Sequence, residues 1–273
     1  MYQKINRPTA ILLLAIVFAL PLMFGCNENP VKPPVAPSYR LRGVVVTDPN
    51  IDTTRVIIGV TRDDTLLTDA VVDFDGFQLQ FVDSVLLSDS TFQYWAESVY
   101  YYADDSLYTF TGDTTDIKLD DSGRYVDTLP AAVADSFSIL TVDPFNHLLQ
   151  GLHNVTLNWS GADQAETYVM AAVKSGLEYK GEGYSAYPQS ITTGGTIPPE
   201  AFADPISNQP DTGLYNLYIY AITGSPDSSL STYLLPVPLP DQLADNLTGN
   251  DLVGNFGSVT ITYYDTVRVV IMP

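Results

Sequence analysis

The chain has 273 residues, with 12 Lys and Arg against 32 Asp and Glu, a formal net charge of -20. A surface of that sign repels phosphate backbones, which excludes DNA and RNA as partners. Hydrophobic residues make up 45%, enough to build real cores and to exclude an acidic disordered chain, and a single Cys excludes any intrachain disulfide.

The first residues carry Lys4 and Arg7 and no acid, and an apolar stretch runs from Ala10 to Phe24, broken only by Pro21. A basic start, an apolar middle and a small residue at the end predict a secretory signal over residues 1–25. The run is short for a membrane-spanning helix, which needs about 20 apolar residues. A tether follows over residues 26–38, where Asn29 to Ser38 reads NPVKPPVAPS. Proline at that density predicts an extended, semi-rigid spacer.

Leu22-Met23-Phe24-Gly25-Cys26 resembles the signal peptides of bacterial lipoproteins at Gly25 and Cys26. The resemblance implies a diacylglyceryl thioether on Cys26 and an acyl chain, such as palmitate, on its new amino group. Several chains together anchor stably where one alone is marginal. It also implies a place in the bacterial cell envelope, and the Asn after Cys26 points to the outer membrane. A lone cysteine is more often a small buried hydrophobe, but Cys26 closes an export signal and opens a polar, Pro-rich stretch.

Beyond the tether the acids are mostly Asp, set beside Gly, Ser, Thr and Asn, which favours turns over helices. Together with 18 Tyr, 11 Phe and many Val, Ile and Thr, this predicts an all-β chain. We expect two tandem β-sandwich domains of immunoglobulin or fibronectin type III-like kind, over residues 39–132 and 133–273. In the first, strands are predicted at Tyr39–Thr47, Arg55–Thr61, Ala70–Phe74, Thr91–Tyr102, Ser106–Phe110 and Tyr125–Leu129. Alternation is imperfect in Arg55-Val56-Ile57-Ile58-Gly59-Val60, which points to a strand buried on both faces. The breaks are Asp48-Pro49-Asn50, Asp63-Asp64, Asp75-Gly76, Asp104-Asp105 and Asp121-Ser122-Gly123.

In the second domain strands are predicted at Ser138–Val142, Val155–Trp159, Tyr168–Val173, Leu214–Ala221, Ser258–Tyr264 and Val267–Ile271, the last two joined by a turn at Asp265-Thr266. Pro198–Ala203 and Pro240–Asn246 are the two short helical candidates, each opening on proline. Val155-x-Leu157-x-Trp159, Tyr168-x-Met170 and Tyr215-x-Leu217-x-Ile219-x-Ala221 resemble the second, third and sixth strands of the fibronectin type III-like family. That resemblance implies a core role for Trp159 and a corner role for Tyr215. The stretch from Gly224 to Ser258 is far longer than the hairpin the family has there.

Residues able to do chemistry are sparse. His147 and His153 both fall in the Phe145–Asn154 connection, and no nucleophile stands beside a base in a recognisable motif. One Cys and two His do not make a structural zinc site. Gly194-Gly195 reads as a turn rather than a phosphate-cradling loop. Asp73-x-Asp75-Gly76 and the group Asp113, Asp116, Asp120 and Asp121 carry oxygen ligands that suit calcium, yet they read more simply as solvated turn acids. No metal, cofactor or catalytic residue is therefore assigned, and an enzyme is not expected.

Tyr179, Tyr184 and Tyr187 lie among Gly and Ser and form the candidate ligand-binding set, since loop aromatics give contact area at little entropic cost. The expected function is a membrane-anchored envelope protein with a binding, adhesion or structural role toward a protein or glycan. The alternative is a carbohydrate-binding surface lipoprotein using those tyrosines.

Overall fold

The computed structural model describes residues 39–48, 53–82, 100–105, 114–144, 147–149, 154–175, 184–186, 192–203, 211–224 and 244–270. The signal, the tether, Cys26, the strand predicted at Ser106–Phe110, most of the one at Thr91–Tyr102 and most of the helical candidate Pro240–Asn246 lie outside them. Residues Pro37–Pro273 form one compact unit.

The described chain is all-β. Its first half holds β1 (Tyr39–Asp48), β2 (Thr53–Arg62), β3 (Thr65–Leu66), β4 (Val71–Phe74), β5 (Phe77–Gln78), β6 (Gln80–Val82), β7 (Tyr100–Asp105), β8 (Thr114–Asp121) and β9 (Arg124–Ala132). The second holds β10 (Ile139–Asp143), β11 (His147–Leu149), β12 (Val155–Trp159), β13 (Thr167–Lys174), β14 (Tyr184–Ala186), β15 (Gly194–Ile197), β16 (Gly213–Ile222), β17 (Leu247–Thr248) and β18 (Leu252–Val270). The helical candidate at Pro198–Ala203 is a single 3-10 turn, Pro199–Phe202, with proline at its start.

Three two-residue hairpins close on backbone that few residues tolerate. Asp63 and Asp64, Asp75 and Gly76, and Ser122 and Gly123 all have positive φ, the geometry whose twist matches flanking strands. The turns foreseen at these positions are therefore tight reversals. β8 runs between the second and third of these turns and alternates. Its residues Thr115, Ile117, Leu119 and Asp121 point inward while Thr114, Asp116 and Lys118 are exposed, so Asp116, Asp120 and Asp121 are strand residues rather than turn acids.

One large sheet runs in the order β14-β13-β16-β18-β1-β2-β7-β6, and two smaller sheets, β5-β4-β8-β9 and β10-β12-β15, complete the described strands. The first small sheet and the β1-β2 end of the large one enclose a core that includes Leu41, Ile58, Phe74, Ile117, Leu119 and Phe256. The second small sheet and the β13-β16 end enclose another, with Leu157, Trp159, Tyr168, Met170, Leu217 and Ile219. Leu247, Leu252 and Phe256 come from the end of the chain yet belong to the first core. The reverse side of the large sheet is apolar as well, with Val44, Ile57, Val169, Tyr220, Val259 and Ile261 buried together. This accounts for the unalternating Val44-Val45-Val46 and Val56-Ile57-Ile58, whose successive side chains enter opposite apolar layers. Burying one such side chain contributes ~1.5–3 kcal/mol.

β18 joins the two halves. It pairs in parallel with β1 from Tyr39↔Leu252 to Thr47↔Thr260. It then pairs antiparallel with β16 from Ile222↔Val259 to Gly213↔Val269. The turn expected at Asp265-Thr266 is absent; the chain continues straight through as strand. Opposite these residues the register slips between Tyr215 and Leu217. The extra residue is taken up by a β-bulge, so Tyr264 and Val267 both meet the second core. Gly194-Gly195 is likewise strand, not turn. Gly195 is small for a reason, since an added Cβ would lie 2.5 Å from the Met170 sulfur.

On the edge of β18 away from β1, side chains fill the gap between its pairing with β17 and its pairing with β16. Asn246 accepts from the Phe256 N–H at 2.9 Å and donates to its carbonyl at 2.7 Å. Next along, the Ser258 N–H donates to Thr223 Oγ1 at 2.9 Å, and the Thr223 N–H donates to the Ser258 carbonyl at 3.0 Å. The crossing segment is bound to the same point. Ala134 N–H donates to Ser258 Oγ, Thr260 Oγ1 donates to the Ala134 carbonyl, and Thr223 Oγ1 donates to the Ala132 carbonyl. Ser258, Thr260 and Thr223 are all buried, so each lost partner would cost about 1–3 kcal/mol.

The β1–β18 contact is close enough to test. A Cβ added at Gly254 would sit 1.8 Å from the Leu41 carbonyl oxygen, so Gly254→Ala forces the two strands apart. We expect a loss of about 1–3 kcal/mol, read as a lower denaturant midpoint; an unchanged midpoint would contradict the parallel pairing.

Candidate functional site

The ionisable groups that the fold buries hold strands together. Asp121 ends β8 and is buried. It accepts from the Tyr39 hydroxyl at 2.9 Å, from Ser122 Oγ at 3.0 Å and from the Arg62 guanidinium. The Tyr39 hydrogen bond is the main cause that holds its carboxyl below the usual range. Burial pushes the other way, and Ser122 and Arg62 add to the lowering. The same Tyr39 and Asp121 contacts raise Arg62. Asp127, also buried, accepts from the Thr128 and Asn250 N–H groups at 2.9 and 2.8 Å. It thereby ties the four-stranded sheet to the turn before β18. A Cβ on Gly249 would come within 2.1 Å of its carboxylate.

The outer face of that four-stranded sheet is built differently. Register places Val71, Asp120 and Tyr125 in one row across β4, β8 and β9, and Asp73, Lys118 and Thr128 in the next. Strict alternation would put Tyr125 on the same side as Asp127. Instead the register slips at Leu119/Asp120. Val126 and Asp127 then both turn inward, while Tyr125 stands 55% exposed on the outer face. A β-bulge commonly re-aims a side chain in this way. The Tyr125 hydroxyl donates to Thr128 Oγ1 at 3.2 Å, which lays the ring along its own strand. Beside it, Lys118 Nζ and Asp120 Oδ2 are 2.8 Å apart. Asp120 is the first cause that raises the Lys118 pKa, with Asp73 and Tyr125 adding to it. Ring, ammonium and carboxylate therefore form one connected surface.

The residues singled out from sequence are not gathered there. Cys26, Tyr179 and Tyr187 lie outside the described residues. Tyr184 is described as backbone on β14, at the end of the large sheet, paired with Ala172. His147 belongs to β11, which pairs in parallel with β18, rather than to an irregular connection; His153 lies outside the described residues. Of the calcium candidates, Asp73 Oδ1 accepts from the Gly76 N–H at 2.7 Å and so closes its own turn. Asp120 faces Lys118, and Asp121 is enclosed by Tyr39, Arg62 and Ser122. Among the described residues, no group of three His, Cys, Asp or Glu converges to hold a metal ion. In the sequence Tyr125–Leu129 reads as a core strand, and only the bulge turns its first residue outward.

No known family model matches the sequence, and neither does any curated protein.

The Asp121 cluster makes stability depend on acidity. Its folded pKa lies below the unfolded value of about 3.9, so its contribution is present above that value and is lost as pH falls through the folded pKa. We expect Asp121→Asn to be less stable than wild type at neutral pH by about 1–3 kcal/mol. The gap should close toward pH 3 in denaturant titrations. A gap of constant size from pH 7 to pH 3 would remove the carboxylate from this role.

Proposed function

We propose that this chain is a lipid-anchored protein of the bacterial cell envelope. It is non-enzymatic, and its two β-sandwich cores serve as a binding or structural body held at a membrane through Cys26. The observation that carries this reading is β18, which gives both cores one strand and so supports a body that keeps a surface at fixed geometry. Export and anchoring are supported by the basic start, the apolar run and Gly25-Cys26. The binding role is favoured by the outer face around Tyr125, a surface the fold goes out of register to expose.

A fibronectin type III-like second half is part of the same reading. Its strand order supports it, with β10, β12 and β15 on one sheet, β14, β13, β16 and β18 on the other, and β11 crossing to pair with β18. So do the buried Trp159 and the Tyr215 hydroxyl, which donates to the Asp211 carbonyl at 3.1 Å. The first half is read as immunoglobulin-like on its facing sheets.

The test is fractionation of expressing bacteria with labelled palmitate. Wild type should be in the membrane fraction and labelled, with a mature N-terminus at Cys26; Cys26→Ser should be unlabelled and leave that fraction. Label retained on Cys26→Ser would sink the anchoring.

A further inference from the structure

We propose that the outer face of β4, β8 and β9 around Tyr125 is a subsite for a neutral carbohydrate chain. The proposal rests on the reading of the chain as a non-enzymatic binding body and names the ligand class for that face.

A pyranose ring has an apolar C–H face and a rim of hydroxyls. It is bound well by a flat aromatic ring flanked by groups that can both donate and accept. Tyr125 supplies the ring. It is 55% exposed, and its hydroxyl is held by Thr128, so little side-chain freedom remains to be lost when a sugar stacks on it. Lys118 Nζ and Asp120 Oδ2, 2.8 Å apart, offer a donor and an acceptor side by side, a spacing that suits adjacent hydroxyls of one sugar. Asp120 is the direct cross-strand neighbour of Tyr125, and such neighbours have Cβ atoms about 5 Å apart. The pair therefore lies at the rim of anything seated on the ring. Val71, 38% exposed and on the far side of Asp120, continues the row as a second apolar step.

Charge chooses among glycans. The net charge of -20 opposes sulfated or uronic polymers. Locally, Asp73, Asp116 and Asp120 outnumber Lys118 on this face. A neutral chain meets neither penalty. An ordinary solvent-facing strand would need no bulge here. In this one the register slip buries Val126 and Asp127 in succession and leaves the aromatic outside.

The experiment is a titration of the full chain in detergent with soluble β-glucan, xylan, mannan and chitotetraose, with heparin as the polyanionic counterpart. At least one neutral probe should bind and heparin should not. Tyr125→Ala and Asp120→Asn should each weaken binding about tenfold, with the unfolding midpoint unchanged, while Tyr125→Phe should retain most of it. Replacing Tyr179, Tyr184 and Tyr187 together by Ala should leave affinity unaltered. Binding by no neutral probe, preference for heparin, indifference to Tyr125→Ala, or loss through the triple replacement would each overturn the proposal. Should Tyr125→Ala shift the midpoint, Asp120→Asn and Tyr125→Phe carry the comparison. Failure here leaves the Cys26 fractionation result standing, and the reverse holds too, so the two readings fail separately.

Discussion

A strand buried on both faces has to find partners for every backbone N–H and C=O along both edges. β18 meets that requirement over much of its length, in a different way on each edge. One edge pairs with β1 over its first half. The other pairs with β17, is completed by Asn246 and Thr223, and then pairs with β16. No other strand among the described residues supplies both cores. The Ser258, Thr260 and Thr223 hydroxyls then bind the backbone at Ala132 and Ala134, where the chain passes from one core to the other. These polar groups sit between two apolar cores, and they are tolerated there because each has a partner.

The same constraint shapes the surface. An acidic chain has few cations to pair with, and the fold uses Arg62 on the buried Asp121 and backbone N–H groups on the buried Asp127. Asp127 can turn inward only because β9 is bulged, and the bulge also puts Tyr125 outside. A device that fastens the four-stranded sheet to the turn before β18 thus also creates the exposed ring with its Lys118–Asp120 neighbour. Packing and the candidate site share one irregularity.

Much of the fold was legible in the residues. Val155, Leu157 and Trp159 alternate as a strand buried on one face should, and Asp75-Gly76 and Ser122-Gly123 mark tight hairpins. The Val-Ile run of β2 signalled burial on two faces, whereas β1 read as simply alternating. Elsewhere local chemistry misled. Asp265-Thr266 has turn composition, but pairing with β16 overrides it and a bulge absorbs the misfit. Gly194-Gly195 looks like a turn, yet it is strand, and Gly195 makes room for Met170 beneath it. β8 is hard to see in the sequence because its acids outweigh two inward apolar residues, Ile117 and Leu119. The site was harder to see, since Tyr125 is exposed by a register slip set by tertiary pairing, and hydropathy cannot show that. The long stretch after Gly224 departs from the fibronectin-like pattern, and its end, Leu247 to Phe256, returns to complete the first core.

The central claim is that β18 makes the two cores one cooperative body. Native-state hydrogen exchange under increasing denaturant tests it most directly, by following amides of Leu41 to Val45 in the first core and of Leu217 to Ala221 in the second. A single global opening predicts the same free energy and the same denaturant dependence for both sets. Opening of one set at a clearly lower free energy, with the other still protected, would contradict it.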